Sequence, residues 1–182
     1  MDTITLKTEL PAVLPTEHQE LMNVFYNEWR EQGDAVRQHQ IAALMPSKVN
    51  MAVALGNWNY QVHNGGYAQW HDNGYSTAGA AILDYLQRAR QAGVEGLDPL
   101  IESLEKGMNE IRDYEKRAQD EREYDWYNAD SDDEYSEDCI DDDEANRLLW
   151  DNNPEPKLQA ALDAFDQIES IGKYADAFAL AA

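Results

Sequence analysis

Apolar residues in this chain recur at steps of three and four and nowhere alternate strictly with polar ones, a pattern that confines it to helices. It is plainest in Leu97, Leu100, Ile101, Leu104, Met108, Ile111 and Tyr114, a stripe down one helix that Asp98 caps and Pro99 starts. Upstream, Leu21, Met22, Val24, Phe25 and Trp29 mark a helix that Thr16 and Gln19 open as a capping box and Gly33 ends. Asp34 is expected to cap a short helix carrying Val36, Ile41 and Leu44, stopped by Pro46, and Ser47 to cap the next, with Val49, Val53, Leu55, Trp58 and Val62 on its buried face. Gly65 and Gly66 break that helix, a short helical piece runs from Tyr67 to Asn73, and the alanine-rich stretch from Thr77 to Ala92 forms another. A last helix starts near Pro156 and presents Leu158, Leu162, Phe165, Ile168 and Ile171, with Leu148, Leu149 and Trp150 as an apolar patch before it. The expected fold is all-α: one compact helical domain over residues 1–182, with residues 120–144 as an acidic, partly irregular insertion.

Thirty-six acidic residues against 14 basic ones give a net charge of -22, a field that repels nucleic acid and anionic membrane and favours basic partners. Ten tyrosines, five tryptophans and 43% apolar residues supply a real core, so charge does not leave the whole chain disordered. Cys139 stands alone, which excludes an intrachain disulfide. The first thirty residues lack the basic start and apolar block of a secretory signal, and no apolar run approaches the roughly 18–20 residues of a membrane helix. A cytoplasmic protein is expected. No internal repeat points to a solenoid.

Between Asp120 and Glu144 fourteen acidic residues meet one basic residue, Arg122, so more than half the net charge lies in one seventh of the chain. Such blocks are commonly solvated and disordered, but Tyr124, Trp126, Tyr127, Tyr135 and Ile140 are interleaved here, and part of the segment is expected to pack. The carboxylates of Asp120, Glu121, Glu123, Asp125, Asp130, Asp132, Asp133, Glu134, Glu137, Asp138, Asp141, Asp142, Asp143 and Glu144 are candidates for imitating DNA phosphates on a protein partner. Extended chain would space them at roughly 6 Å, against about 1.7 Å per charge along duplex DNA. Helix brings the spacing under about 3 Å, so mimicry needs a folded segment, neighbouring acids or a dimer. Asp130, Asp132 and Glu134 alternate like the first ligands of a calcium loop, but Tyr135 stands where that loop needs glycine and Asp141 where it needs glutamate.

The string Asn64-Gly65-Gly66-Tyr67-Ala68-Gln69-Trp70-His71-Asp72-Asn73-Gly74 is the most distinctive in the chain. Physically it is a helix end, a two-glycine turn and a short helix whose Tyr67 and Trp70 face the core, with Asn64 and Gln69 placed to satisfy backbone groups at the junction. It also resembles the signature of a family of DNA-mimic proteins, a domain of unknown function in which asparagine-glycine-glycine-aromatic-x-glutamine-aromatic follows a helix. Asn64, Gly65, Gly66, Tyr67, Gln69 and Trp70 occupy the pattern's positions, and the likeness extends over residues 49–92. His71 departs from it, standing where the family has another aromatic, and the acidic block is longer than the family's. The resemblance implies an all-helical acidic protein, dimeric, that engages a basic DNA-binding protein such as a repressor, nuclease, restriction enzyme or defence complex and keeps it from DNA.

Nothing in the sequence calls for catalysis or a cofactor. His63 and His71 match no zinc spacing, and His18 and His39 are expected alone on exposed helix faces. Asp138, Asp141 and Asp142 beside Cys139 disfavour its thiolate, which leaves an inert thiol. No phosphate loop or dinucleotide fingerprint is present, and the acids are too many for one pair to stand out as acid and base. The expectation is a non-enzymatic DNA mimic; the alternative is an acidic adaptor or chaperone-like protein that holds basic partners without mimicry. Leu148, Leu149 and Trp150 are the apolar residues available for a homodimer.

Overall fold

In the computed structural model residues 4–33, 38–127, 140 and 142–168 are described, except for the side chains of residues 39 and 120–127. Among the described residues seven α-helices follow in order: α1 His18–Gln32, α2 Gln38–Ala42, α3 Ser47–Asp72, α4 Gly79–Gln91, α5 Asp98–Tyr127, α6 Asp143–Trp150 and α7 Pro154–Asp163. Short 3-10 turns lie at Tyr75–Ala78 and Phe165–Gln167. No strand occurs among the described residues, and the fold is all-α as its periodicity requires.

α3 is the axis of the molecule. Every residue from Val49 to Asn59 is buried, the condition of a helix covered on all sides rather than on one face. Helices α1, α4, α5, α6 and α7 pack on it, together with the turn at Tyr75–Ala78. Trp58, Tyr67 and Trp70 of α3, Phe25 of α1 and Tyr85 of α4 are fully buried, and the core continues through Leu100 and Leu104 of α5 to Leu158 and Leu162 of α7. Tyr85 ties α4 to α7 by donating its hydroxyl hydrogen to the Ala161 carbonyl at 2.6 Å. Asn50 is buried beside the end of α2 and donates to the Ala42 carbonyl at 2.7 Å.

Most helices fall where the periodicity puts them, although Leu44, expected on the second helix, lies past the end of α2 and is exposed, and the helix ends are closed differently. Thr16 and Gln19 form no capping box: α1 starts at His18, its flanking Glu17 makes no side-chain cap bond, and Gln19 donates to Asn23. Gln159 of α7 does the capping instead, accepting the His18 amide at 2.7 Å and donating to the Thr16 carbonyl at 2.9 Å. A residue 141 positions away thus supplies what the local motif was expected to supply.

Ser47 is the first helical residue after Pro46, with no side-chain cap at that end. Asp98 is likewise helical rather than a cap; the Leu97 carbonyl takes the Ile101 amide at 2.9 Å, and Asp98 pairs with Arg90 at 2.8 Å. Thr77 belongs to the 3-10 turn before α4, and α7 begins at Pro154, two residues before the expected Pro156. The apolar patch at Leu148 to Trp150 is part of a helix, α6, that buries Leu149 completely and leaves Trp150 half exposed. Phe165 and Ile168 are buried on the expected face, though off α7. Asp34, Val36 and Ile171 lie outside the described residues.

Candidate functional site

The glycine pair kinks α3 instead of ending it: Gly65 has φ -162°, ψ 25° and Gly66 has φ 75°, ψ -172°. Gly66 needs glycine twice over, because its φ lies in the left-handed region and a Cβ there would meet Asp142 Oδ2 at 2.5 Å. The kink frees the Ala68 amide from the helical ladder, and Asp142 Oδ2 accepts it at 3.0 Å while Oδ1 accepts the Asn146 side-chain amide at 2.7 Å. Asp142, rather than Asn64 or Gln69, therefore satisfies the junction. Asn64 is exposed, and Gln69 joins Asn73 in donating to Gln61 Oε1, at 2.5 and 2.9 Å.

Beneath the kink a directed chain of hydrogen bonds links three helices. Trp58 Nε1 donates to the Tyr67 hydroxyl at 3.1 Å, Tyr67 and Ser103 share a hydrogen at 2.9 Å, and Ser103 donates to the Ala145 carbonyl at 2.6 Å. Since the Ser103 hydrogen goes to Ala145, Tyr67 is the donor to Ser103. Burial pushes the Tyr67 phenol far above its usual range, outweighing the hydrogen bonds with Ser103 and Trp58 that draw it down. Tyr67 and Trp70 meet edge to face with centroids 5.7 Å apart. Five of the six motif residues, Gly65, Gly66, Tyr67, Gln69 and Trp70, thus hold the bend, and this constellation positions helices rather than reacting groups.

The fourteen acidic candidates divide. Asp120, Glu121, Glu123 and Asp125 stand on the C-terminal end of α5, which continues past the apolar stripe to Tyr127. Asp130, Asp132, Asp133, Glu134, Glu137, Asp138 and Asp141 lie outside the described residues, as does Cys139. Asp143 and Glu144 occupy the first turn of α6, where carboxylates complement the helix dipole. Asp143 is exposed, and Glu144 pairs with Lys106 Nζ at 2.8 Å, a hydrogen bond that holds its carboxyl below the usual range. Asp142 is corrected: expected on a partner-binding surface, it is 9% exposed with both oxygens bonded inside the molecule, because the kink requires an acceptor there. Ile140 is buried, so the block packs at its later end.

The histidines also rearrange. His18, expected on an exposed face, is buried; its Nε2 donates to the Ala52 carbonyl at 2.8 Å and its Nδ1 lies 3.7 Å from Glu155 Oε2. His63 donates through Nδ1 to the Asn59 carbonyl at 2.8 Å and stacks obliquely near Trp150, centroids 6.3 Å apart. His71 contacts Ser76 and Tyr114 instead, so the two histidines flanking the kink have separate surroundings. No group of three or more His, Cys, Asp or Glu side chains able to hold a metal occurs among the described residues.

His18 and His63 both line a groove of about 560 Å³ between α1, α3 and the start of α7, together with Met22, Tyr26, Asn57, Asn59, Tyr60 and Glu155. Glu155 Oε1 accepts from Asn59 Nδ2 at 2.5 Å, and Tyr26 donates to Asn57 Oδ1 at 3.0 Å. Asn57 and Asn59 are 6% and 8% exposed, yet Asn57 Nδ2 and Asn59 Oδ1 have no hydrogen-bond partner among the described residues. Sequence reasoning missed this groove. The available signal was the polar residues Asn50, Asn57, Asn59 and Gln61 inside the apolar run of α3, where a buried helix has no ordinary use for them.

No protein-family model, curated protein or solved structure matches the chain. No helix among the described residues is long and apolar enough to cross a membrane.

Proposed function

We propose that the chain is a DNA mimic that binds a basic DNA-binding protein through carboxylates standing in for phosphates. The observation that carries this reading is the far end of α5. Four carboxylates fall within eight helical residues, 120–127, about 12 Å of axis, hence about 3 Å per carboxylate. That is within a factor of about two of the duplex value, which extended chain cannot approach.

The dipole sharpens the field. No basic residue occupies the last turn of α5, so the negative end of the helix adds to its carboxylates where cations would ordinarily be favoured. A sequence selected for stability alone would place lysine or arginine there. A partner that supplies cations relieves both the dipole and the mutual repulsion, and seven further acids follow in the sequence between residues 130 and 141. The resemblance carried by Asn64, Gly65, Gly66, Tyr67, Gln69 and Trp70 points the same way.

The test is capture of host DNA-binding proteins on the immobilised chain at about 50 mM and about 200 mM salt, followed by a challenge with duplex DNA. Mimicry predicts a few captured proteins, weaker capture at the higher salt and release by DNA. A chain carrying D120N, E121Q, E123Q and D125N should lose roughly tenfold or more in affinity while remaining helical. Indiscriminate capture of cationic proteins that DNA does not release favours the acidic adaptor instead.

A further inference from the structure

We propose that the groove between α1, α3 and the start of α7 binds the guanidinium group of an arginine on a partner polypeptide. The site shares no residue with the acidic end of α5 and goes beyond mimicry, so either can stand without the other.

The donors and acceptors of the groove choose the ligand. His18 Nε2 donates to a carbonyl, so in the neutral ring Nδ1 is an acceptor turned towards the Glu155 carboxylate 3.7 Å away. With the ring neutral, one donor placed between the two acceptors serves both. His63 likewise commits Nδ1 to the Asn59 carbonyl and leaves Nε2 as an acceptor. Asn59 Oδ1 adds a buried acceptor without a partner, in a side chain that lines the same space. A phosphate or carboxylate would meet the Glu155 charge and a surplus of acceptors. Guanidinium is the matching group, with five N–H donors and no acceptor.

The walls favour guanidinium over ammonium. Tyr60 is 62% exposed at the rim of the groove, and Tyr26 and Met22 line its side. A planar cation stacks on a tyrosine face while its edge meets the carboxylate, which a compact ammonium cannot do at once. The carboxylate is set in advance by the Asn59 Nδ2 bond to Oε1 at 2.5 Å, so little ordering remains to be done on binding. Asn57 Nδ2 is the exception in the census, a buried donor without a partner. It calls for a carbonyl, and a polypeptide provides one beside its arginine. The net charge of -22 favours a cationic partner and opposes a second copy of this chain.

Calorimetric titration of the full chain with N-acetyl-arginine amide, N-acetyl-lysine amide and free L-arginine tests the assignment. The capped arginine should saturate one site per chain and bind about tenfold tighter than the capped lysine. Glu155→Gln should weaken it by about tenfold, and Tyr60→Ala severalfold, with far-ultraviolet circular dichroism unchanged. Should Glu155→Gln fail to fold, Tyr60→Ala at an exposed position carries the same test. Equal binding of the two capped amino acids, or wild-type affinity in a folded variant, reduces the effect to counterion attraction and overturns the proposal. Free L-arginine binding as tightly as the capped form overturns the polypeptide source. If Glu155→Gln loses the capped arginine but still yields a DNA-displaceable partner, the groove and the mimicry are separate devices. If the capped arginine binds as expected and no DNA-displaceable partner is captured, the groove stands and mimicry falls.

Discussion

Glu28 is fully buried on α1, and its carboxylate receives the Lys7 amide at 2.8 Å, the Thr8 amide at 2.7 Å, the Thr8 hydroxyl at 2.6 Å and the Gln32 side chain. It clasps the segment before α1 onto the helix. Burial alone would push its carboxyl up, but the hydrogen bonds from Thr8, Lys7 and Gln32 outweigh it and hold the carboxyl at about 2 against an ordinary 4.5. A carboxyl depressed in the folded state stabilises fully above its unfolded value, and that contribution drains away as pH falls from 4.5 towards 2. Glu28→Gln should therefore cost about 1–3 kcal/mol at neutral pH, because an amide turns a donor towards donors. Its urea midpoint should depend less on pH across that window than the wild type's. Equal pH dependence in the two chains would show that the clasp contributes nothing. The clasp was visible in principle, since Leu21, Phe25 and Glu28 follow one another at steps of four and three and a carboxylate on the apolar stripe is an anomaly. Asp142 left no such trace: its neighbours are acids, and only the freed Ala68 amide separates its role from theirs.

At the scale of elements, the contact between α3 and α5 turns on Gly107. Helix propensity makes alanine better than glycine inside a helix by about 1 kcal/mol, so the sequence alone predicts that Gly107→Ala stabilises. The structure predicts the opposite. The Tyr67 ring, fully buried and held by hydrogen bonds to Trp58 and Ser103, lies against Gly107 so closely that a Cβ would fall inside van der Waals contact. Overpacking of this kind costs about 1–3 kcal/mol, and moving the ring would break the hydrogen bonds that hold it. Urea denaturation should show Gly107→Ala less stable than wild type by up to about 2 kcal/mol once the propensity gain of about 1 kcal/mol is set against the clash. A more stable variant would mean that Tyr67 does not pack on α5. The course of α5 itself was only half legible. Its apolar stripe ends at Tyr114, and the helix goes on to Tyr127 through residues such as Glu115, Lys116, Arg117, Ala118 and Gln119, strong helix formers that leave no periodic signal.

Over the whole molecule the charge of -22 is a standing repulsion that the core must overcome. Among the described residues many acids are spent locally, as in the Arg88–Asp84, Arg90–Asp98 and Lys106–Glu144 pairs, but cations are too few to neutralise the rest. Screening should then stabilise the fold. Raising salt from about 0.05 M to about 0.5 M shortens the Debye length several-fold, and the melting temperature should rise by about 2–4 °C for each kcal/mol of repulsion removed. A fall in melting temperature would mean that the attractive pairs dominate. The sequence by itself determined the all-α class, the helices other than α6, an interruption at Gly65 and Gly66 and the concentration of charge, because each follows from neighbours a few residues apart. What closes α1, which carboxylate is buried, why Gly107 must be glycine, and the groove of His18, Asn57, Asn59 and Glu155 were decided only by the tertiary structure. Each depends on a partner far along the chain: Gln159 for His18, Asp142 for Ala68, Tyr67 for Gly107, Glu155 for Asn59. Periodicity fixes which face of a helix is buried, and only packing fixes what that face meets.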